Sequence, residues 1–255
     1  MKRTEPHLKE STISEKRLRS KTVLSFLVFV VLAVSVGLIF GWMRTQPKDA
    51  GAPKPLQAAL NTNEAIFSAL FDSSKLVKEY PVKEAVKDVR VNGMEGLRDV
   101  VDMSLWRLQV VRKRGDTLRL TLDDIKALPK RDIVFDFKCI EGWSQITHWA
   151  GVPLKTFMEH YGLQEEEKLQ YVGLQTPDKK YYVGIDMPSA LHTQTLLCYE
   201  MNGKPLPMNQ GYPLRLIIPE KYGVKHLKRI GTMFFSDAKP ADFWAERGYD
   251  YYAGH

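Results

Sequence analysis

Cys139 is the side chain in this sequence best equipped for chemistry, because of the residues placed around it. The stretch Asp136–Leu154, DFKCIEGWSQITHWAGVPL, puts one thiol at the end of an apolar, β-type run, Ile133–Phe137. An acidic and aromatic turn follows (Glu141, Gly142, Trp143, Ser144), then Trp149 and a Gly-Val-Pro-Leu step into a helix. A cysteine held where strand gives way to loop, next to Lys138, is placed to act as a thiolate, since a neighbouring cation favours the charged form. Thiolates are soft ligands for transition metals. Only one is offered, with no C-x-x-C and no H-x-x-x-H nearby, which argues against a protein-only zinc or iron–sulfur cage. A lone thiolate suits a metal whose remaining ligands arrive with a cofactor. His148 is a candidate catalytic group, as a pocket wall touching substrate, or else an ordinary packed imidazole. The other cysteine, Cys198 in TLLCYEM, reads as a small core residue, and two cysteines so far apart give no disulfide framework.

Three further blocks follow the first in order: YVGLQT (Tyr171–Thr176), TLLCYEMNGKPLPMNQGYPLRLIIPEKYGVKHLKRI (Thr195–Ile230) and FWAERGY (Phe243–Tyr249). Together, over roughly Val89 to Tyr249, they resemble the sulfite-oxidase-type molybdopterin oxidoreductases. Within that family they are most similar to the small, haem-free bacterial branch that includes methionine sulfoxide reductase catalytic subunits. The resemblance implies that Cys139 binds molybdenum beside the two sulfurs of the pterin dithiolene. It implies that Thr176 contacts the cofactor, as do the cations Arg215 and Lys228. Gln210 stands where close relatives carry asparagine, with Asn209 beside it as a substitute amide. His226, Leu227 and Lys228 would face the cofactor phosphate, where backbone N–H groups count as much as side chains. Asn63-Glu64 resembles the segment that folds over the pterin.

The expected activity is a two-electron oxygen-atom transfer on a small substrate, the cofactor carrying the redox chemistry. Around Cys139 there is no arginine to hold a dianion, so reduction of a sulfoxide or N-oxide is expected ahead of sulfite oxidation, unless Arg107 or Arg247 folds in. No C-x-x-C-H haem site is present, which implies a separate haem- or quinone-linked electron-transfer subunit. The sequence runs only a few residues past FWAERGY, which is read as a monomer or a hetero-complex. The rival from another class is an anchored binding or assembly module that keeps the fold without metal.

The elements that must position these residues are short and mixed. LWRLQVV and TLRL read as strands around the basic turn RKRGD, and DVRVNG as a strand before them. Thr121 with Asp124 has the pattern of a capping box for LDDIKAL. Pro153 suits the first turn of LKTFMEHY, and Gly162 its C-terminal end. Glu165–Glu167 reads as solvated loop. LQYVGLQT and YYVGI are strands, Asn202-Gly203 a tight turn, and Leu214–Ile218 and Arg229–Phe235 complete a mixed sheet. A helix is expected over Asn61–Glu79, capped at Asn61, Thr62 or Asn63 and ended by Pro81. Helices scattered irregularly among strands fit an α+β, mixed-sheet, sulfite-oxidase-like domain rather than a doubly wound sheet.

At 255 residues with 44% hydrophobic content, the chain can bury one sizeable core. Thr22–Met43 is 22 residues without a charge; at ~1.5 Å per residue it matches a ~30 Å hydrocarbon layer. Seven cations and three glutamates precede it, so positive-inside logic puts the N-terminus in the cytoplasm and the domain on the periplasmic side. The expected organisation is a basic tail (1–21), a transmembrane helix (22–43), a Pro/Ala/Gly-rich linker (44–60) and the molybdopterin-binding domain (61–255). Much of the net charge of +7 belongs to that tail, which leaves no case for nucleic-acid binding.

Overall fold

The structure, a computed structural model, describes residues 14–99, 102 and 104–255. The chain forms two compact units. The N-terminal one carries α1, Glu15–Thr45, a 31-residue helix with no buried residue. By length and composition α1 can cross a membrane.

The second unit contains two five-stranded sheets. One is built from β3 (Arg131–Lys138), β4 (Ser144–Pro153), β7 (Leu196–Met201), β8 (Lys204–Pro205) and β9 (Arg215–Ile217). Here β3 pairs β4, β4 pairs β7, and β7 also takes β8 and β9, all antiparallel. The other runs β2-β1-β10-β5-β6, with β1 Leu108–Val111, β2 Thr117–Leu120, β5 Tyr171–Gln175, β6 Tyr182–Asp186 and β10 Thr232–Ser236. Its β10–β1 pair is parallel, so the sheet is mixed. The expected final strands therefore fall in different sheets, because the turn at 218–231 carries the chain from one to the other. DVRVNG forms no strand; its backbone groups are taken by side-chain amides instead, as described below.

A large core lies among Leu108, Val110, Phe157, Val172, Leu174, Leu216 and Met233. A smaller one gathers Ile133, Phe135, Phe137, Cys139, Trp149, Cys198 and Ile217. The two-residue period of β3 explains the second: alternate side chains Ile133, Phe135 and Phe137 face one way, and Cys139 is next in that series. Lys138 consequently points away from the thiol, its Nζ lying 3.4 Å from His255 Nδ1. It is not the neighbouring cation the sequence suggested.

Local chemistry sets the element ends. Thr121 and Asp124 close a reciprocal capping box on α3, Leu122–Lys126. Pro153 precedes α4, Leu154–His160, and Gly162 follows it with φ +66°. Asn202 and Gly203 both have positive φ, as the two-residue hairpin β7–β8 requires. Helix α2 occupies Lys54–Leu70, not Asn61–Glu79, and begins inside the stretch read as linker. Pro55 suits a first helical turn, so Asn61–Asn63 lie mid-helix rather than at a cap. Glu165–Glu167 is also no loop: α5 spans Gln164–Glu167, and Glu166 is buried, accepting the Lys113 N–H at 3.0 Å.

Candidate active site

Where β3 ends, a cleft opens. Cys139, Ile140 and Glu141 line it, together with Gly223, Val224, His226 and Lys228 and with Asn92, Gly93 and Glu95. Tyr181, Trp244 and Tyr249 complete the wall. Cys139 is 5% exposed, and its backbone closes a tight turn: its N–H donates to Trp143 O at 2.9 Å and its carbonyl accepts from Gly142 N–H at 3.0 Å. Burial raises the thiol, opposed by the backbone N–H of Glu141 and by the Arg90 charge.

Among the described residues the buried basic groups beside the cleft, Arg215 and Lys228, make no ion pair, although Glu95 on the cleft wall favours the Lys228 charge. Arg215 is fully buried. Its Nη1 donates to Gln210 O (3.1 Å) and Gln210 Oε1 (2.9 Å), and the guanidinium lies 4.5 Å over the Trp149 ring. Its Nε and Nη2 have no partner. Burial lowers it to about 10. Lys228 Nζ donates only to carbonyls, those of Asn92 (2.7 Å), Gly93 (3.0 Å) and Asn209 (3.3 Å). Burial first, and then Arg215, push it down to about 7. His226, lowered by burial to about 3, is neutral and directs Nε2–H to Lys221 O at 3.1 Å. That leaves its buried Nδ1 bare.

A buried cation with two unpartnered nitrogens is costly unless something anionic completes it. A dithiolene-bearing pterin with a phosphate supplies both an anion and a metal for the thiol, so the residues present fit that group.

Residues 95–244 match the sequence profile described as "Oxidoreductase molybdopterin binding domain". The chain belongs to that family. It is therefore an oxidoreductase, and its cofactor is molybdopterin. One relative is the putative protein-methionine-sulfoxide reductase subunit YedZ1 of Azospira oryzae, 36% identical over 208 residues, covering 81% of this chain and 78% of that protein. Another is the protein-methionine-sulfoxide reductase catalytic subunit MsrP of Xanthomonas campestris pv. campestris, 30% identical over 155 residues. That match covers 56% of this chain and 48% of the relative, so here the chain spans about half the relative's length. The crystal structure of the sulfane dehydrogenase SoxCD from Paracoccus pantotrophus aligns at a TM-score of 0.49 and 17% identity, over 55% of this chain and 40% of that one.

The structure brings Cys139, His226 and Lys228 to one cleft and sets Arg215, Gln210 and Asn209 behind it through Lys228 and shared hydrogen bonds. The Gln210 amide is spent on the chain itself, donating to Val89 O at 3.1 Å while accepting from Arg215. Asn209 contributes its carbonyl to Lys228. Thr176 is buried and does not line the cleft. Its hydroxyl donates to Asp178 Oδ1 and accepts the Tyr181 N–H at 3.1 Å, so it props the cleft-lining Tyr181.

Three of the expected groups are not brought to the cleft by the structure. Leu227 is a core side chain whose N–H goes to Lys225 O and whose carbonyl takes Leu216 N–H, both at 2.9 Å. His148 lies on β4 with Nε2 bonded to Asp132 Oδ1 at 2.8 Å and is not among the cleft residues, because its strand position directs it to the β3 partner instead. Asn63 and Glu64 lie on α2, where Glu64 Oε2 binds Lys239 Nζ at 2.6 Å; neither lines the cleft.

Their place is taken by Asn92, Gly93 and Glu95, which sequence reasoning missed. That strap is held by amides: Gln145 Oε1 accepts the Arg90 N–H (2.8 Å), Gln210 binds Val89 O, and Asn202 Nδ2 reaches Val86 O (3.1 Å). The available signal was the Asn92-Gly93 turn pair in a stretch without hydrophobic periodicity.

Proposed function

We propose that this chain is the catalytic subunit of a membrane-anchored molybdenum oxidoreductase that reduces a sulfoxide, with electrons delivered by a separate redox subunit. Residues 22–43, within α1, form the span; the segment before it, of which 1–13 lie outside the described residues, faces the cytoplasm, and the folded domain works on the periplasmic side. Cys139 is the metal ligand. Arg215, Lys228 and the backbone around Asn92 and Gly93 hold the anionic parts of the pterin, with His226 against its flank. The observation that carries the reading is the buried Arg215 guanidinium, with two unpartnered nitrogens, behind the cleft that Cys139 lines. A metal-free module would have no reason to maintain it.

The bound cofactor supplies the two-electron exchange at the metal. The protein's own share is binding, orientation and proton placement. Lys228 is the one side-chain ammonium or guanidinium lining the cleft among the described residues. Neither Arg107 nor Arg247 lines the cleft; Arg107 donates to Ser104 O and Trp106 O, and Arg247 to Phe243 O. Trp244, Tyr249, Tyr181 and Ile140 give the mouth an aromatic and apolar wall, which suits an uncharged thioether-type oxide better than a dianion; sulfur packs favourably on aromatic edges. The relatives' names, both methionine sulfoxide reductase subunits, support that substrate class. The balance is one sulfoxide, two electrons and two protons giving one thioether and one water.

The test is a pair of assays on purified full-length protein carrying molybdenum: oxidation of a reduced viologen dye by methionine sulfoxide, and reduction of ferricyanide by sulfite. Dye oxidation with little ferricyanide reduction is the expected result. Sulfite turnover alone would reverse the assigned direction, and stable metal-free protein from a cofactor-competent host would remove the enzyme altogether.

A further inference from the structure

The cleft does not use α2, yet α2 is the most conspicuous unpaired surface of the folded unit. Leu56, Ala59, Asn63, Ile66, Phe67 and Leu70 fall, at 100° per residue, within one arc of about 100°. All six are exposed, Phe67 at 54% and Leu70 at 70%. Asn63 alone in that arc is polar. The other side carries Lys54, Gln57, Asn61, Glu64 and Ser68, with Gln57 Nε2 on Asn61 Oδ1 at 3.2 Å and Glu64 on Lys239. Helix α2 has no buried residue at all. A solvated helix this long does not keep so largely apolar a stripe without something to cover it.

What covers it follows from covalent connection. Only residues 46–53 separate the end of α1 from the start of α2. Fully extended, that tether reaches about 30 Å. If α1 spans a bilayer, α2 can never leave the neighbourhood of the membrane surface. A helix with one apolar stripe and one polar face, confined there, meets lipid at very high effective concentration. Arg44, Lys48 and Lys54 in and around the tether are cations suited to anionic headgroups.

We propose that the Leu56–Leu70 stripe of α2 lies in the lipid interface, as a second, non-spanning membrane contact. The inference rests on α1 being an uncleaved anchor. It concerns a lipid surface, not a second copy of the chain and not a partner subunit.

The experiment uses the full-length, cofactor-loaded chain in nanodiscs of phosphatidylethanolamine and phosphatidylglycerol, with a thiol-reactive fluorophore at one introduced cysteine. Cys139 and Cys198 are buried, so labelling is selective. Ala59→Cys sits in the stripe, Ser68→Cys opposite it, and Val30→Cys inside α1. Quenching by doxyl-labelled lipid is compared with quenching by aqueous iodide. The expected result is lipid quenching at 59 several-fold above that at 68, with iodide showing the reverse order. Equal iodide access at 59 and 68 would overturn the proposal, as would shielding of 59 from both quenchers, which would mean a protein occupant. Lipid quenching at 30 without any at 59 removes the stripe contact alone. Its absence at 30 removes the anchor, and the proposal with it.

Discussion

Replacing Arg215 by methionine should cost the cofactor-free protein almost nothing and deprive the loaded protein of its cofactor. Burial lowers this guanidinium from its ordinary value to about 10. Both values exceed 7, so at neutral pH the group is charged whether the chain is folded or not. The cost of burying that charge is fully present at pH 7 and fades only above pH 10. At 1.36 kcal/mol per tenfold it amounts to about 3 kcal/mol. Against it stand two hydrogen bonds to Gln210, at ~1 kcal/mol each, and the Trp149 stack, also ~1 kcal/mol. These nearly cancel. Arg215→Met should therefore shift the unfolding free energy of the cofactor-free protein by no more than about 1 kcal/mol. Breaking an ordinary buried ion pair would cost about 3–5 kcal/mol. In the loaded protein, two freed N–H donors to an anion are each worth about 1.5–3 kcal/mol, so cofactor retention should fall at least about a hundredfold. Urea unfolding followed by tryptophan fluorescence and the molybdenum-to-protein ratio after dialysis read the two effects. A loss of several kcal/mol in the cofactor-free protein, with molybdenum fully retained, would refute the reasoning.

Other outcomes follow from the same geometry. His148→Gln should keep kcat within about twofold, because His148 serves Asp132 rather than the cleft; the price is a surface-type pair, about 1 kcal/mol of stability. Steady-state kinetics decide this, and a hundredfold loss of kcat would restore His148 to the site. Glu220, beside the Lys221–Asp186 pair, is raised by burial to about 7, while His192, 3.4 Å away, is lowered by its own burial. An acid whose folded value exceeds its unfolded 4.5 contributes stability that is full below pH 4.5 and lost as pH rises through 7. Glu220→Gln should therefore raise stability at pH 8 by up to about 3 kcal/mol and change it little at pH 4. Equal shifts in denaturant midpoint at both pH values would contradict that. A Cβ at Gly151 would strike the Leu197 carbonyl across the β4–β7 bulge, so Gly151→Ala should destabilise by about 3 kcal/mol; an unchanged melting temperature would contradict it.

Much of this arrangement was legible in the chain because it is local. Strand alternation puts Cys139 in line with Phe135 and Phe137. The Thr121–Asp124 box, Pro153, Gly162 and the Asn202-Gly203 turn each specify an element end through their own backbone chemistry. The α+β class follows from the irregular succession of short helices and strands, and the ordered blocks carried the family. Long-range bonds decided the rest. Residues 71–79 look helical, but Gln194 takes the Val77 N–H and carbonyl at 2.8 and 2.9 Å, and Glu79 bridges to Phe135, holding that stretch extended. The strap at Val86–Gly93 depends on amides and a lysine more than fifty residues away in sequence. No periodicity announces such contacts, so Asn92 and Glu95 went unseen and Asn63-Glu64 stood in for them. Lys138 misled for a simpler reason, since neighbours along a strand face opposite ways.

The central claim is a bond between the Cys139 sulfur and the metal of the bound cofactor. Molybdenum K-edge absorption of the full-length enzyme, beside Cys139→Ser, reads that bond directly. The variant is expected to show one sulfur fewer around the metal, with the protein still folded. An identical sulfur shell in both proteins would contradict it.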